Sequence, residues 1–168
     1  MGRFIAGLLF VLSVLAFLAW FGIRVYNEIV FEIECTGHLK RAADANTVEL
    51  AAKEMETAVS YLEKREITNG YTSILYRTPD EDVGFWYANL KSSWNELKNV
   101  SPGATQLEKS NVLMKLRETI LDAGSEGKTK ITAPNGIEIF PHNMLFFWWA
   151  MVSLLFIVIG RAMFFLLS

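Results

Sequence analysis

The sequence predicts a mainly α membrane protein in which two antiparallel transmembrane helices flank a three- to four-helix bundle, with a small β-hairpin near the membrane. Three observations lead there. An uncharged apolar run lies at each end of the 168 residues, and helical periodicity with capping signals recurs between the runs. An Asn-Gly pair with short flanking arms precedes the second run. That length accommodates one domain, and a net charge of −2 gives no basic surface for nucleic acid.

The first run, residues 4–23, contains no charge, proline or amide and is bracketed by Arg3 and Arg24. Twenty residues at about 1.5 Å each cover roughly 30 Å, the apolar thickness of a bilayer. Val14 and Ala16 make a poor cleavage signal and the apolar run continues past them, which favours an uncleaved anchor over a signal peptide. The second span, 144–167, is uncharged for 17 residues up to Gly160 and then meets Arg161, which can snorkel to the far interface. Trp20, Arg24, Tyr26, Trp148 and Trp149 are the expected anchors at the loop-side interface, and Arg161 the anchor at the other. Ala6, Ser13, Ala16 and Ala19 give the first span a face for close helix packing.

Between the spans lies an extramembrane domain, 24–143. Arg24, Lys40, Arg41, Lys128 and Lys130 lie near the spans, and counting them favours a cytoplasmic loop. That rule weakens for loops beyond about 60 residues, and this one has 120. The architecture points to both termini in the cytoplasm and the loop outside it.

Residues 26–44 contain no proline, and Tyr26, Ile29, Val30 and Ile33 share a helical face, so a helix is expected to continue the first span outward, with a kink at Thr36-Gly37. The alternation in "VFEIEC" is strand-like and competes with that reading. The next helix, 47–67, starts at an Asn46 cap with Glu49 three residues on. Val48, Ala51, Ala52, Met55, Val59 and Leu62 form its apolar face, and Asn69-Gly70 is its expected stop. In helix 79–98, Thr78 is the expected cap and Pro79 the first helical residue. Asp80, Glu81 and Asp82 suit the helix dipole, while Val83, Trp86, Tyr87, Leu90, Trp94 and Leu97 fall on a buried face. Phe85 points away from that face, with packing elsewhere in the loop favoured over exposure. Helix 105–123 opens with Thr105 and Glu108 and stops at Gly124. Val112, Leu113, Leu116 and Ile120 line one side and Leu107, Met114 and Leu121 another, which predicts a central, buried helix. Asn135-Gly136 predicts a hairpin over about 130–140, with Phe140 near the headgroups.

The chemistry of catalysis is poorly represented. His38 and His142 are far apart, one cysteine (Cys35) permits no internal disulfide, and no zinc spacing, phosphate loop or nucleophile motif is present. No enzyme, cofactor or metal site is expected. If His38 and His142 meet they would form a pH-sensitive pair, but two solvated histidines are the expectation.

The layout resembles, as architecture alone, the extracytoplasmic part of bacterial helical-bundle sensors, which continue into an output domain after their second span. This chain ends at Ser168. The expectation is therefore a membrane-anchored, non-enzymatic interaction protein, an accessory or structural subunit. It would work through membrane lipid and through other membrane subunits or copies of itself. Candidate partner contacts are Phe85, Tyr71, Tyr76 and Phe140. The alternative is a small-molecule-binding module with a pocket between Tyr61, Trp86, Tyr87 and Trp94.

Overall fold

The computed structural model describes residues 2–123 and 129–166. Its first feature is a rod of 43 continuous helical residues. Helix α1 (Gly2–Phe31) passes through a π turn (Glu32–Thr36) into α2 (Gly37–Asp44), so residues 26–44 continue the first apolar helix. In the π turn the Gly37 N–H donates to the Glu32 carbonyl, five residues back. A Cβ at position 37 would stand 2.8 Å from that carbonyl oxygen, and glycine avoids the clash. The residue pair expected to kink the chain thus closes a wider turn.

The π turn has a packing consequence. Phe31, Cys35, Leu39 and Ala43 are buried at four-residue spacing. On a plain α-helix such a series drifts about 40° per step; the additional residue of a π turn sets the following helix back by about one position and cancels most of that drift. All four side chains therefore stay against the core. Burial pushes the Cys35 thiol up to about 12, so it remains neutral and unreactive near pH 7.

Helix α3 (Val48–Lys64) packs on α2, the π turn and α4 (Val83–Lys98), burying Ala51, Met55, Ala58, Val59 and Leu62. Its cap is Thr47, one residue later than expected, whose hydroxyl accepts from the Leu50 N–H at 3.3 Å. Its end also differs from expectation. Glu66 takes the left-handed conformation (φ 58°), and the N–H groups of Glu66 and Ile67 donate to the carbonyls of Glu63 and Leu62. That is a Schellman closure, with Ile67 and Leu62 both buried beside it. Gly70 (φ 114°) serves a later turn, where the Phe140 ring lies against it.

At the next helix Pro79–Glu81 form a short 3-10 turn, and Asp82 is the cap of α4, accepting from the Phe85 N–H at 2.9 Å. Thr78, the expected cap, instead donates to Glu81 at 2.8 Å. The capping box of α5 (Gln106–Ile120) is present, with Thr105 and Glu108 bonded in both directions, and these bonds hold the Glu108 carboxyl below its ordinary range.

Two expectations are corrected in this half of the chain. Helix α5 is not central: Leu107 is 71% exposed and Met114 53%, while Leu116 and Ile120 face the core. The central position belongs to α3. The hairpin is also displaced. Strands β1 (Leu121–Ala123) and β2 (Thr129–Ile131) pair antiparallel, Leu121 opposite Ile131, so α5 ends three residues before the predicted boundary. Gly124 lies outside the described residues. Asn135-Gly136 does turn, with Gly136 at φ 75°, but it leads into a 3-10 turn (Ile137–Ile139). Pro134 lacks the N–H a ladder would need, and Ile137 and Ile139 are both buried.

The last helix, α6 (Asn143–Leu166), lies antiparallel to α1. Both are long and apolar enough to cross a membrane. Their outward faces, such as Leu12, Leu15 and Leu18 on α1 and Leu155 and Val158 on α6, remain exposed. The surrounding domain contains the main core, with Leu39, Met55, Leu62, Leu90 and Leu116 almost fully buried.

Gly37→Ala should cost about 1–3 kcal/mol by overpacking the π turn, whereas deletion of Ile33, exposed on the same turn, converts π to α geometry and should cost less. Melting curves of the two purified variants measure the difference.

Candidate functional site

Two regions assemble side chains that could act outside the fold. The first is the seam between α1 and α6. Ala6 and Ser13 on α1 and Ser153 and Gly160 on α6 are buried in it, each pair seven residues apart. A Cβ at Gly160 would meet the Phe10 backbone at 3.0 Å, so the helices touch nearly backbone to backbone there. Of the four small residues expected on the first span, Ala6 and Ser13 enter the seam, while Ala16 is half-buried and Ala19 exposed.

Two indoles complete the seam. Trp20 Nε1 donates to the Phe146 carbonyl of α6 at 2.9 Å, and Trp149 Nε1 donates to the Ala16 carbonyl of α1 at 3.1 Å. A helical carbonyl retains a second lone pair after its own i+4 bond, and each indole uses one. These two rings therefore cross-link the helices, whereas Trp148 and Tyr26 point outward and are exposed, as belt residues would be. Arg24 lies over the Trp20 ring at 5.9 Å and pairs with Glu138 at 3.6 Å, tying α1 to the 3-10 turn before α6. Arg161 lies over the Phe165 ring at 5.8 Å near the opposite end.

The second region is a cleft of about 460 Å³ between the start of α4, the end of α5 and the segment following β2. Trp86 lines its inner wall, buried, with its Nε1 donating to the Thr132 carbonyl at 2.5 Å. Phe85 stands on its rim and is 66% exposed, so the favoured expectation of packing is overturned. Asp82 caps the helix start, and with Val83, Trp86 and Leu90 on the buried face the neighbouring Phe85 turns outward. The lining includes three carboxylates, Asp80, Asp82 and Asp122, and one cation, Lys130, which is opposite Asp122 across the strand pair. The cleft is acidic.

The remaining candidates are scattered. Tyr76 is exposed; Tyr71 is half-buried, bridged to Asp82 through its backbone, with Arg77 over its ring at 5.0 Å. Phe140 is half-buried, packed on the domain core and on Gly70. The four rings of the predicted pocket do not gather around the cleft. Trp86 lines it, Tyr61 meets Phe31 edge-on at 6.0 Å, Tyr87 donates to Glu63 at 2.6 Å, and Trp94 lies under Lys98 at 4.3 Å. Hydrogen bonds from Lys91 and Tyr87 hold the Glu63 carboxyl below its ordinary range.

The histidines do not meet. His38 Nδ1 contacts Glu54 at 2.6 Å, and Arg41 pairs with the same carboxylate at 2.6 Å, a trio joining α2 to α3 that sequence spacing does not reveal. His142 is exposed. Among the described residues no group of three His, Cys, Asp or Glu is placed to hold a metal ion. Compared with protein-family models, curated proteins and solved structures, the chain matches none.

Trp20→Phe and Trp149→Phe should each lower the stability of the helix pair by about 0.5–1.5 kcal/mol, because each removes one interhelical bond. Trp148→Phe should leave it within about 0.5 kcal/mol. Unfolding of the reconstituted chain in an SDS titration measures all three.

Proposed function

We propose that the chain is a membrane-anchored, non-enzymatic interaction protein. Helices α1 and α6 cross a bilayer as an antiparallel pair, with both termini in the cytoplasm and the 24–143 domain on the other side. Support for the crossing comes from the exposed apolar faces of both helices, from the close seam between them and from the outward rings of Tyr26 and Trp148. A water-soluble core helix would be covered on those faces.

The observation that carries the interaction reading is Phe85, a large ring held outward by a capped helix at the rim of an acidic cleft. Exposed aromatic anchors beside a concave surface are the usual centre of a protein contact. The carboxylates Asp80, Asp82 and Asp122 outnumber Lys130, so the fitting partner presents a cationic segment with an apolar residue for Phe85, either on another membrane subunit or on a second copy.

Orientation is read by an impermeant maleimide on intact cells, using Cys35→Ala with Asn135→Cys to move the thiol from a buried position to an exposed turn. Labelling before lysis is expected; labelling only after lysis would place the domain in the cytoplasm. The docking surface is read by a photo-reactive phenylalanine analogue at position 85. A discrete partner adduct is expected, reduced about tenfold by Asp80→Lys with Asp122→Lys, the scale of a few kcal/mol or less of charge complementarity. An adduct pattern indifferent to the charge reversal would discard the cleft as the docking site.

A further inference from the structure

A second cavity, about 300 Å³, opens where the apolar helix pair meets the domain. Its wall is amphiphilic: Trp20, Phe146 and Phe147 at one part, Thr72, Ser73 and Asn143 at another. Thr72 is 3% exposed and Asn143 7%. Thr72 Oγ1, Ser73 Oγ and Asn143 Oδ1 are buried and make no hydrogen bond to any described residue. Asn143 Nδ2 donates to the Gly136 carbonyl at 2.7 Å, which assigns Oδ1 as a free acceptor. A buried polar group without a partner costs about 1–3 kcal/mol. Three around one cavity point to a ligand that answers them.

The charges narrow its chemistry. Arg24 and Glu81 also line the cavity, and Arg24 is shared with Glu138 at 3.6 Å. Glu81 accepts one bond from Thr78 and keeps further acceptor capacity. The wall therefore offers donors for an anion and acceptors for a cation, without net excess of positive charge. At about 300 Å³ the cavity is at the small end of ligand pockets, suited to a headgroup and not to a whole lipid.

We propose that this cavity binds the headgroup of a zwitterionic phospholipid bearing a primary ammonium, as in phosphatidylethanolamine. The phosphate oxygens accept from Arg24 and from the Thr72 and Ser73 hydroxyls. The ammonium donates to Asn143 Oδ1 and the Glu81 carboxylate. The acyl chains leave past Trp20, Phe146 and Phe147. This site rests on the reading that the helix pair crosses a bilayer, which brings the headgroup layer to this height. A choline headgroup has no N–H to donate, so it leaves Asn143 and Glu81 unanswered.

The test uses the full chain in detergent with dihexanoyl phosphatidylethanolamine or phosphatidylcholine, and native mass spectrometry to count one-to-one adducts. The ethanolamine lipid is expected to exceed the choline lipid by at least about fivefold, roughly 1 kcal/mol. Glu81→Gln, which removes the charge that answers the ammonium, should bring it down toward the choline level; Thr72→Val with Arg24→Gln, which removes phosphate contacts, should lower both lipids together, and Leu155→Ala on the outward face should leave both unchanged. Thr72→Val alone, isosteric and without effect on the Arg24–Glu138 pair, should give a smaller loss for both lipids with a melting temperature unchanged or raised, since it removes an unpartnered hydroxyl. Equal adducts for both lipids, or adducts that survive both variants, would overturn the proposal and leave ordered water as the occupant. Competition by equimolar phosphoethanolamine without acyl chains would overturn the lipid assignment in favour of a soluble phosphoester. A chain that binds the ethanolamine lipid but fails to float with carbonate-washed liposomes would sustain the headgroup site and overturn the membrane-crossing reading alone.

Discussion

The contact of Gly37 with the Glu32 carbonyl, inside one π turn, governs how the two halves of this molecule relate. The first 44 residues have to serve two different neighbours with one helix. Below the turn, Ala6, Ser13 and Trp20 face α6; above it, Cys35, Leu39 and Ala43 face α3 and the domain core. A helix of uniform pitch would carry the upper residues progressively off the core as the four-residue spacing drifts. One additional residue in the turn corrects the phase, and only a residue without a Cβ closes that turn without collision.

The rest of the architecture follows from that rod. Its lower part accepts α6 along a seam of small residues, and the two indole bonds fix the register of the pair. Where the pair meets the domain, Arg24 with Glu138 and Asn143 with Gly136 attach the 3-10 turn to both helices. The upper part of the rod supplies one wall of the core, and Arg117 of α5 closes the end of α2 by donating to the Ala43 carbonyl. Domain and helix pair are thus joined by continuous helix on one side and by polar contacts on the other.

That rigidity leaves a definite set of groups facing outward. Phe85 and Tyr76 lie on the domain surface, and Leu107 and Met114 form a further apolar stripe on α5. The acidic cleft under Phe85 is set by the same cap that starts α4, so its aromatic and charged parts are coupled through one short stretch of backbone. Buried Cys35, by contrast, contributes packing only, its thiol held neutral by its surroundings.

The sequence by itself determined the elements whose causes are local. Twenty uncharged residues at one end and seventeen at the other set the two long apolar helices, and the Thr105–Glu108 spacing set a capping box. The apolar faces of α3 and α4 were legible in their periodicity. Tertiary structure decided whatever depended on distant partners. Trp20 and Trp148 read alike in sequence, yet one reaches a carbonyl 126 residues away and the other faces outward. Leu121 fits a helical face but finds Ile131 across a strand pair. Leu107 and Met114 have the periodicity of core residues and are left uncovered because α3 occupies the centre. The orphaned groups of Thr72, Ser73 and Asn143 carry no sequence signal at all, since their meeting at one cavity depends on two distant segments, the 72–73 stretch and the start of α6, being folded together. Periodicity specifies which face of an element is apolar; only packing selects the neighbour that covers it.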